Sequence, residues 1–178
     1  MRELPPAFTK KRREIEPRWV SEYVARFYGR YEVRPRCPLG PIPEDLEKAY
    51  GISKARRIHR PYRPEVDCLV ISPRRIILIE AKIQKYMDGL SKLPIYKSLI
   101  PKTPELADQR DKRVDMELLI PRKIPWIMAA AEEQGIIVKD WAPDWVLKIW
   151  EERDKYWTQS SVMKREQRRK TLERLGYD

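Results

Sequence analysis

Asp67, Glu80 and Lys82 are the side chains in this sequence whose types and spacing could do chemistry together. Carboxylate oxygens are the ligands that hard divalent cations such as Mg²⁺ and Mn²⁺ prefer. A cation held this way beside an ammonium group suits phosphodiester hydrolysis, which must offset charge on the phosphate and lower the pKa of an attacking water. Glu80 and Lys82 are two residues apart, so on a strand they share a face. The stretch that carries them, EVDCLVISPRRIILIEAKI from Glu65 to Ile83, reads as a β-hairpin: Val66 to Ser72 and Ile76 to Ile83 are rich in Val, Ile and Leu, and SPRR between them supplies the turn. Four consecutive apolar residues, Ile76 to Ile79, predict a strand covered on both faces and central in its sheet. Asp67 opens the preceding strand and can sit beside the other two. A Glu-x-Lys triplet is by itself as readily an exposed ion pair, worth ~0 to 1 kcal/mol. Placement of all three groups on two apolar strands with a short connection is what argues for a site.

An Asp followed by Glu-x-Lys on the next strand resembles the PD-(D/E)XK nuclease superfamily. The resemblance implies that Asp67 and Glu80 hold Mg²⁺ or Mn²⁺, that the Ala81 carbonyl is a further ligand, and that Lys82 orients or deprotonates the nucleophile. The family's Pro-Asp dipeptide is absent, since Glu65 and Val66 separate Pro64 from Asp67. In this superfamily the helix before the sheet often offers a glutamate, which makes Glu22 a candidate ligand; on its own helix Glu22 could equally pair with Arg26 at i, i+4. Some members carry Gln and Tyr four apart on the helix after the site. Here that pair is Lys92 and Tyr96, which argues against the exonuclease branch and leaves Lys92 as a phosphate contact. The substrate implied is DNA rather than RNA.

The elements that must position these groups follow from pattern. Pro17 suits a helix first turn, Trp19, Tyr23 and Phe27 recur on one side, and Gly29 can end it. Tyr31 to Arg36 reads as a first strand, with Pro35 marking an edge or a strand end. After the hairpin the period lengthens to about 3.6, predicting a helix from Lys85 to Leu99 in which Gly89 and Pro94 are poor formers. A strand at Val114 to Ile120, a helix from Trp126 to Gln134, a strand at Ile136 to Asp140 and a helix from Pro143 to Trp157 come next. The expected fold is α/β: a central mixed sheet flanked by helices, a restriction-endonuclease-like αβββαβ core with extra C-terminal helices. Tryptophans at helical spacing beside Val and Ile are read as packing.

Residues 1–16, with Lys10-Lys11-Arg12-Arg13, read as a basic arm that orders on a partner; 17–157 as the nuclease-like domain; 37–64 as a proline-rich insertion with a short helix at 43–50; and 158–178 as a basic tail helix capped by Ser160 or Ser161. The net charge is +11, unevenly placed. Residues 1–36 carry ten basic and five acidic groups, 37–64 six and three, 158–178 six and three, while 65–157 has sixteen of each. Peripheral elements are thus expected to grip a polyanion around a neutral core. The candidate nucleic-acid contacts are Arg56, Arg57, Arg60 and Arg63 in the insertion, interleaved with Tyr50 and Tyr62, then Lys92, and Arg165, Arg168 and Arg169 in the tail.

Two cysteines, Cys37 and Cys68, and one histidine, His59, make a disulfide framework or a Cys/His zinc site a poor reading. No stretch reaches a membrane span and no signal-peptide segment is visible, so an intracellular, cytoplasmic protein is expected, with phage or mobile-element origin among the family's settings. No P-loop or dinucleotide motif occurs. Two functions remain: a metal-dependent DNA endonuclease, or a nucleic-acid-associated assembly protein, such as a virion component, that keeps the fold without catalysis and meets protein partners through its arm or tail.

Overall fold

The computed structural model describes residues 15–155 and 159–176. Five strands make one mixed sheet in the order β1-β2-β3-β4-β5: β1 (Glu32–Pro38), β2 (Glu65–Ile71), β3 (Arg75–Ala81), β4 (Arg113–Ile120) and β5 (Ile136–Asp140). β2 pairs antiparallel with β1 and β3, while β3–β4 and β4–β5 are parallel. The Ile76 to Ile79 run is buried throughout and β3 is the middle strand, as its continuous apolar run requires. Pro35, unable to donate to a ladder, lies on the edge strand β1.

Parallel neighbours need a crossover. Helix α4 (Tyr86–Leu99), with short 3₁₀ turns at Ile100–Lys102 and Pro104–Gln109, carries the chain from β3 to β4; α5 (Pro125–Glu133) carries it from β4 to β5. Alternation along the strands divides the side chains between two faces. Leu69, Ile71, Ile76, Leu78, Met116 and Leu118 pack with Leu90, Leu93 and Tyr96 of α4 in one core. On the other face lies α1 (Ile15–Tyr28), which buries Trp19, Val20, Tyr23, Val24 and Tyr28. Here β4 presents a carboxylate, Glu117, whose oxygens accept hydrogen bonds from Tyr28 Oη (2.6 Å) and Tyr23 Oη (3.1 Å). A buried charge is tolerated when it is fully hydrogen-bonded. Burial and the Glu117 charge hold both phenols protonated well above their usual range. Trp19 donates Nε1–H to the Trp141 carbonyl at 3.1 Å and Trp141 packs on Tyr23 and Phe27; Trp126 of α5 is 52 % exposed, so the packing role expected of the tryptophans does not extend to it.

The structure differs from the sequence reading at some boundaries. Helix α1 begins at Ile15, so Ile15 and Glu16, assigned to the arm, are helical. The insertion holds two helices rather than one, α2 (Glu44–Tyr50) and α3 (Ile52–His59), separated by Gly51 at φ 73°. The prolines cluster at the ends of the insertion, and between them Lys54, Ala55, Arg56 and Arg57 are good helix formers.

The chain divides into two units, Met1–Ala142 and Pro143–Asp178. The second contains α6 (Asp144–Lys155) and α7 (Gln159–Arg174); α7 starts ahead of both serines proposed as its cap. The basic run of the arm, Lys10 to Arg13, and Trp157 lie outside the described residues. Among the described residues no helix is long and apolar enough to cross a membrane.

Candidate active site

The two halves of the hairpin part company where the acids sit. The β2–β3 ladder runs from Ile71↔Ile76 to Cys68↔Ile79 and then stops. Beyond it the Asp67 side chain takes over the main-chain role: its Oδ2 accepts the Ala81 N–H at 2.9 Å, and the Asp67 N–H lies 3.4 Å from Glu80 Oε2. On the other side of β2 the register also skips a pair, with Pro35↔Cys68 followed by Cys37↔Val66. Arg36, opposite Asp67, adopts φ 48°, a left-handed conformation uncommon for a residue with a side chain. β3 continues to pair with β4 through Ala81↔Leu119, and the Lys82 N–H is bonded to the Leu119 carbonyl at 2.9 Å. The site therefore opens at the carboxyl ends of the parallel strands, where open α/β sheets place ligands. Next to Asp67 a cavity of about 460 Å³ runs between α1 and β1, lined by Pro17, Val20, Val24, Val33 and Pro35.

Glu80 and Lys82 project together, as their spacing predicts. Lys82 Nζ is 2.9 Å from Glu80 Oε1, and both residues are buried, Glu80 being 2 % exposed. From α4, Asp88 lies 3.7 Å from Lys82 Nζ, and Lys92 Nζ is 2.8 Å from Asp88 and 3.9 Å from Glu80. Burial, then the neighbouring Asp67 charge, push the Glu80 carboxyl up to about 7 despite its lysine. Asp67 is also raised by burial, against the opposing pull of the Ala81 N–H and the two lysines. Lys82 behaves in the opposite sense: burial would lower it, but Glu80 and Asp67 outweigh that and keep it an ammonium above its usual range. Asp88, only slightly buried, is held low by Lys92 and Lys82. Three carboxylates thus face two ammonium groups, and the deficit of positive charge falls on the buried pair Asp67 and Glu80.

Helix α4 reaches this strand end because residue 89 is glycine. A Cβ there would lie 2.5 Å from Leu118 Cδ1, 3.2 Å from Lys82 Cγ and 3.8 Å from Glu80 Cγ. The residue that weakens the helix in sequence is the one that permits the approach. Lys85, just before α4, has φ 56°; among the described residues it and Arg36 are the two non-glycine residues at positive φ, and both flank the site. Such outliers tend to persist where surrounding structure over-determines them, as at sites.

On α1, Glu22 pairs with Arg18 at i−4 (3.1 Å). The α1 acid that Lys82 feels is Glu16, which precedes Trp19 and Val20 by three and four residues and so extends the buried stripe. Among the described residues no three His, Cys, Asp or Glu side chains come together as a metal-binding group.

The basic residues also sort themselves. Arg63 does not face solvent: its side chain is 2 % exposed, it grips both oxygens of Glu105 (2.7 and 2.8 Å), and it donates to the carbonyls of Pro38, Leu39 and Gly40. With its donors taken, it is a clip that closes the insertion, a correction to its expected phosphate role. Arg56 lies 3.8 Å from Glu105. Arg60 donates to Glu65 (3.0 Å) and to the Arg36 carbonyl (3.1 Å) while half exposed. Arg57 is exposed. Lys92, expected at a phosphate, belongs to the carboxylate site. In the second unit Arg168 and Arg169 are exposed on α7, Arg169 beside Glu173 at 3.5 Å, and Arg165 is half-buried.

No family model matches the chain, and no curated protein or solved structure is significantly similar to it.

Proposed function

We propose that this protein is a divalent-metal-dependent nuclease of PD-(D/E)XK type acting on DNA, with Asp67, Glu80 and Lys82 as its working side chains. One observation carries the reading: Asp67 and Glu80 are buried side by side with too little positive charge around them, and Glu80 is raised to about 7 in consequence. Burying carboxylates in this state costs several kcal/mol unless a cation compensates. A scaffold would gain nothing from it.

The donor set fits Mg²⁺ or Mn²⁺. Oxygen ligands suit a hard cation, and Mg²⁺ is commonly bound through one or two carboxylates, water and substrate phosphate rather than by a complete protein cage. Asp67 Oδ1 and the Glu80 oxygens would hold it, with the Ala81 carbonyl as the family resemblance implies. When bound, such a cation neutralises charge on the scissile phosphate and supplies Lewis acidity.

The chain's own groups do the rest. The Ala81 N–H fixes the Asp67 carboxylate so that one oxygen stays available. Lys82, kept an ammonium by Glu80 and Asp67, acts as a donor: it orients the attacking water and offsets charge developing on the phosphate. Lys92, tethered by Asp88, lies near enough to Glu80 to meet a non-bridging phosphate oxygen. Incubation of purified protein with supercoiled, linear and branched DNA in Mg²⁺, Mn²⁺ or EDTA tests the reading. Metal-dependent cleavage lost in Glu80→Gln is expected. Full activity in EDTA or in Glu80→Gln would sink it.

A further inference from the structure

The insertion is anchored at the site end of the sheet, and what it presents to solvent is unusual. The Arg63 clip, a Leu39 N–H to Pro64 carbonyl bond (2.9 Å) and a Gly40 N–H to Thr103 Oγ1 bond (2.9 Å) close its base. Arg60 ties it to Glu65, which opens the strand that carries Asp67. Beyond these anchors α2 buries nothing and α3 buries only Ala55. Large apolar side chains instead face water: Tyr62 is 79 % exposed and Tyr50 50 %, with Ile52 and Ile58 also exposed. Tyr62 is stacked on His59, ring centroids 5.7 Å apart and planes 27° apart, and Lys54 Nζ lies 4.9 Å from the Tyr50 ring centroid.

Single exposed apolar residues need no explanation, but here two tyrosines and two isoleucines between residues 50 and 62 are exposed on helical turns that bury only Ala55, and the rings are free to meet a partner. Of the six basic groups in 37–64, Arg56 and Arg63 turn to Glu105, Arg60 to Glu65 and Lys48 to Glu44, which leaves Lys54 and Arg57 exposed to meet an anionic partner. A closed duplex offers phosphates but hides its base faces, and exposed tyrosines would gain little from it. Unpaired nucleotides offer both phosphates and π-faces that stack on aromatic side chains.

We infer that the insertion binds unpaired nucleotides, with bases stacked on Tyr62 and Tyr50 and flanking phosphates met by Arg57 and Lys54. It thereby directs the Asp67–Glu80 site to nucleic acids that carry a single-stranded stretch, such as forks, flaps or splayed ends. In naming a substrate for that site the inference rests on the nuclease reading; in naming a ligand for the insertion it does not.

The test is therefore a binding measurement in EDTA, with oligonucleotides carrying a fluorescent base analogue whose emission changes on stacking. Single strand, fork and blunt duplex are compared at one salt concentration, for the intact chain and for Tyr62→Ala, Tyr50→Ala and Tyr62→Phe. Single strand and fork should bind at least about tenfold tighter than duplex. Tyr62→Ala should lose about tenfold on single strand and fork and leave duplex unchanged, while Tyr62→Phe, which keeps the ring, retains wild-type affinity. Thermal melting should not move in any variant, because the rings are exposed. Equal affinity for fork and duplex, a loss shared by both, or a Tyr62→Ala effect seen only as altered self-association would overturn the inference. Binding as described without cleavage in Mg²⁺ would sink the nuclease reading and leave this one standing. Cleavage of fork and blunt duplex at equal rates, with Tyr62→Ala slowing neither, would do the reverse.

Discussion

Two acid–base pairs, buried Arg63 with half-buried Glu105 at the base of the insertion and buried Lys82 with Glu80 at the strand end, are built from similar parts and reach opposite electrostatic states. In the first, a bidentate guanidinium and three backbone carbonyls use up the charge and the donors. Burial alone would raise Glu105, but the Arg63 hydrogen bonds outweigh it and hold the carboxyl below its usual range. In the second, Lys82 at 2.9 Å and Lys92 at 3.9 Å serve a carboxylate that has Asp67 beside it and Asp88 competing for both lysines, and burial wins: Glu80 rises to about 7. A planar fork can satisfy a carboxylate completely, whereas a point charge on a flexible stem cannot. The lesson is that a buried ion pair is not one kind of object. A closed pair holds the fold, and an open one is left short of charge for a visitor to supply.

The largest effect that would break this contrast is on turnover. Asp67→Asn and Glu80→Gln should abolish metal-dependent cleavage, and Lys82→Ala should slow it by about 10² to 10⁴, the scale of losing a positioned catalytic group. Arg63→Ala, assayed where it remains folded, should cleave at nearly the wild-type rate. Equal kinetic damage from both pairs would erase the distinction.

Stability should run the other way. Removing Arg63 leaves Glu105 with only the looser Arg56 contact at 3.8 Å, and urea unfolding should register a loss of about 3 kcal/mol. Glu80→Gln at pH 8 without metal should be neutral or stabilising, since it deletes a charge the site cannot balance. A destabilised Glu80→Gln protein would mean that its pair is closed after all.

The pH dependence sharpens the same point. Folding raises Glu80 from its ordinary 4.5 to about 7, so the folded chain binds a proton the unfolded chain has lost. The stabilisation from this group is complete below about 4.5 and is lost as pH rises through 7. Metal-free protein should therefore lose on the order of 3 kcal/mol between pH 5 and 8 in denaturant titrations, and Glu80→Gln should flatten that slope. Mg²⁺ should restore stability most at the alkaline end, where no proton competes for the carboxylate. A slope unaffected by Glu80→Gln assigns the linkage elsewhere.

Smaller still is the effect of filling the approach between α4 and the site. Gly89→Ala gains about 1 kcal/mol of helix propensity but forces a methyl against Leu118 at about 1–3 kcal/mol, a net loss of roughly 1 kcal/mol by urea unfolding. Cleavage should fall more than stability does, because Lys82 Cγ is also displaced. The least effect is expected at Glu22. Glu22→Gln should cost under about 0.5 kcal/mol and leave the Mg²⁺ titration of activity in place. A shifted titration for Glu22→Gln would make it a ligand.

The strand-end triad and the central position of its strand were legible because a hairpin folds by local pattern: period two, a turn, and an apolar run too continuous for one covered face. The helices were legible to within one to three residues at most ends for the same reason. What escaped depends on partners far along the chain. Glu117 looks like any strand acid until Tyr23 and Tyr28 are brought to it from α1. Arg63 belongs to a run of exposed arginines by composition and is buried only because Glu105 reaches back to it. Pro17 as the first turn leaves Glu16 outside its helix, although the i, i+3, i+4 spacing to Trp19 and Val20 puts it on the same side as that buried pair. Gly89 registered as a helix defect, since linear propensity carries no information about a neighbouring strand.

The hairpin that holds the acids also sets when they meet. Asp67 and Glu80 are thirteen residues apart around a tight turn, so closing that loop takes little chain entropy and belongs to the early, microsecond events of folding. The β3–β4 pairing, and with it the Lys92 side of the site, waits for the whole α4 crossover to form, a slower, non-local step. The carboxylates therefore come together before the lysine of α4 arrives to share them. Pulsed hydrogen exchange during refolding should protect the Ala81 amide ahead of the amides of β4, and ahead by more when Mg²⁺ is present to settle the early repulsion.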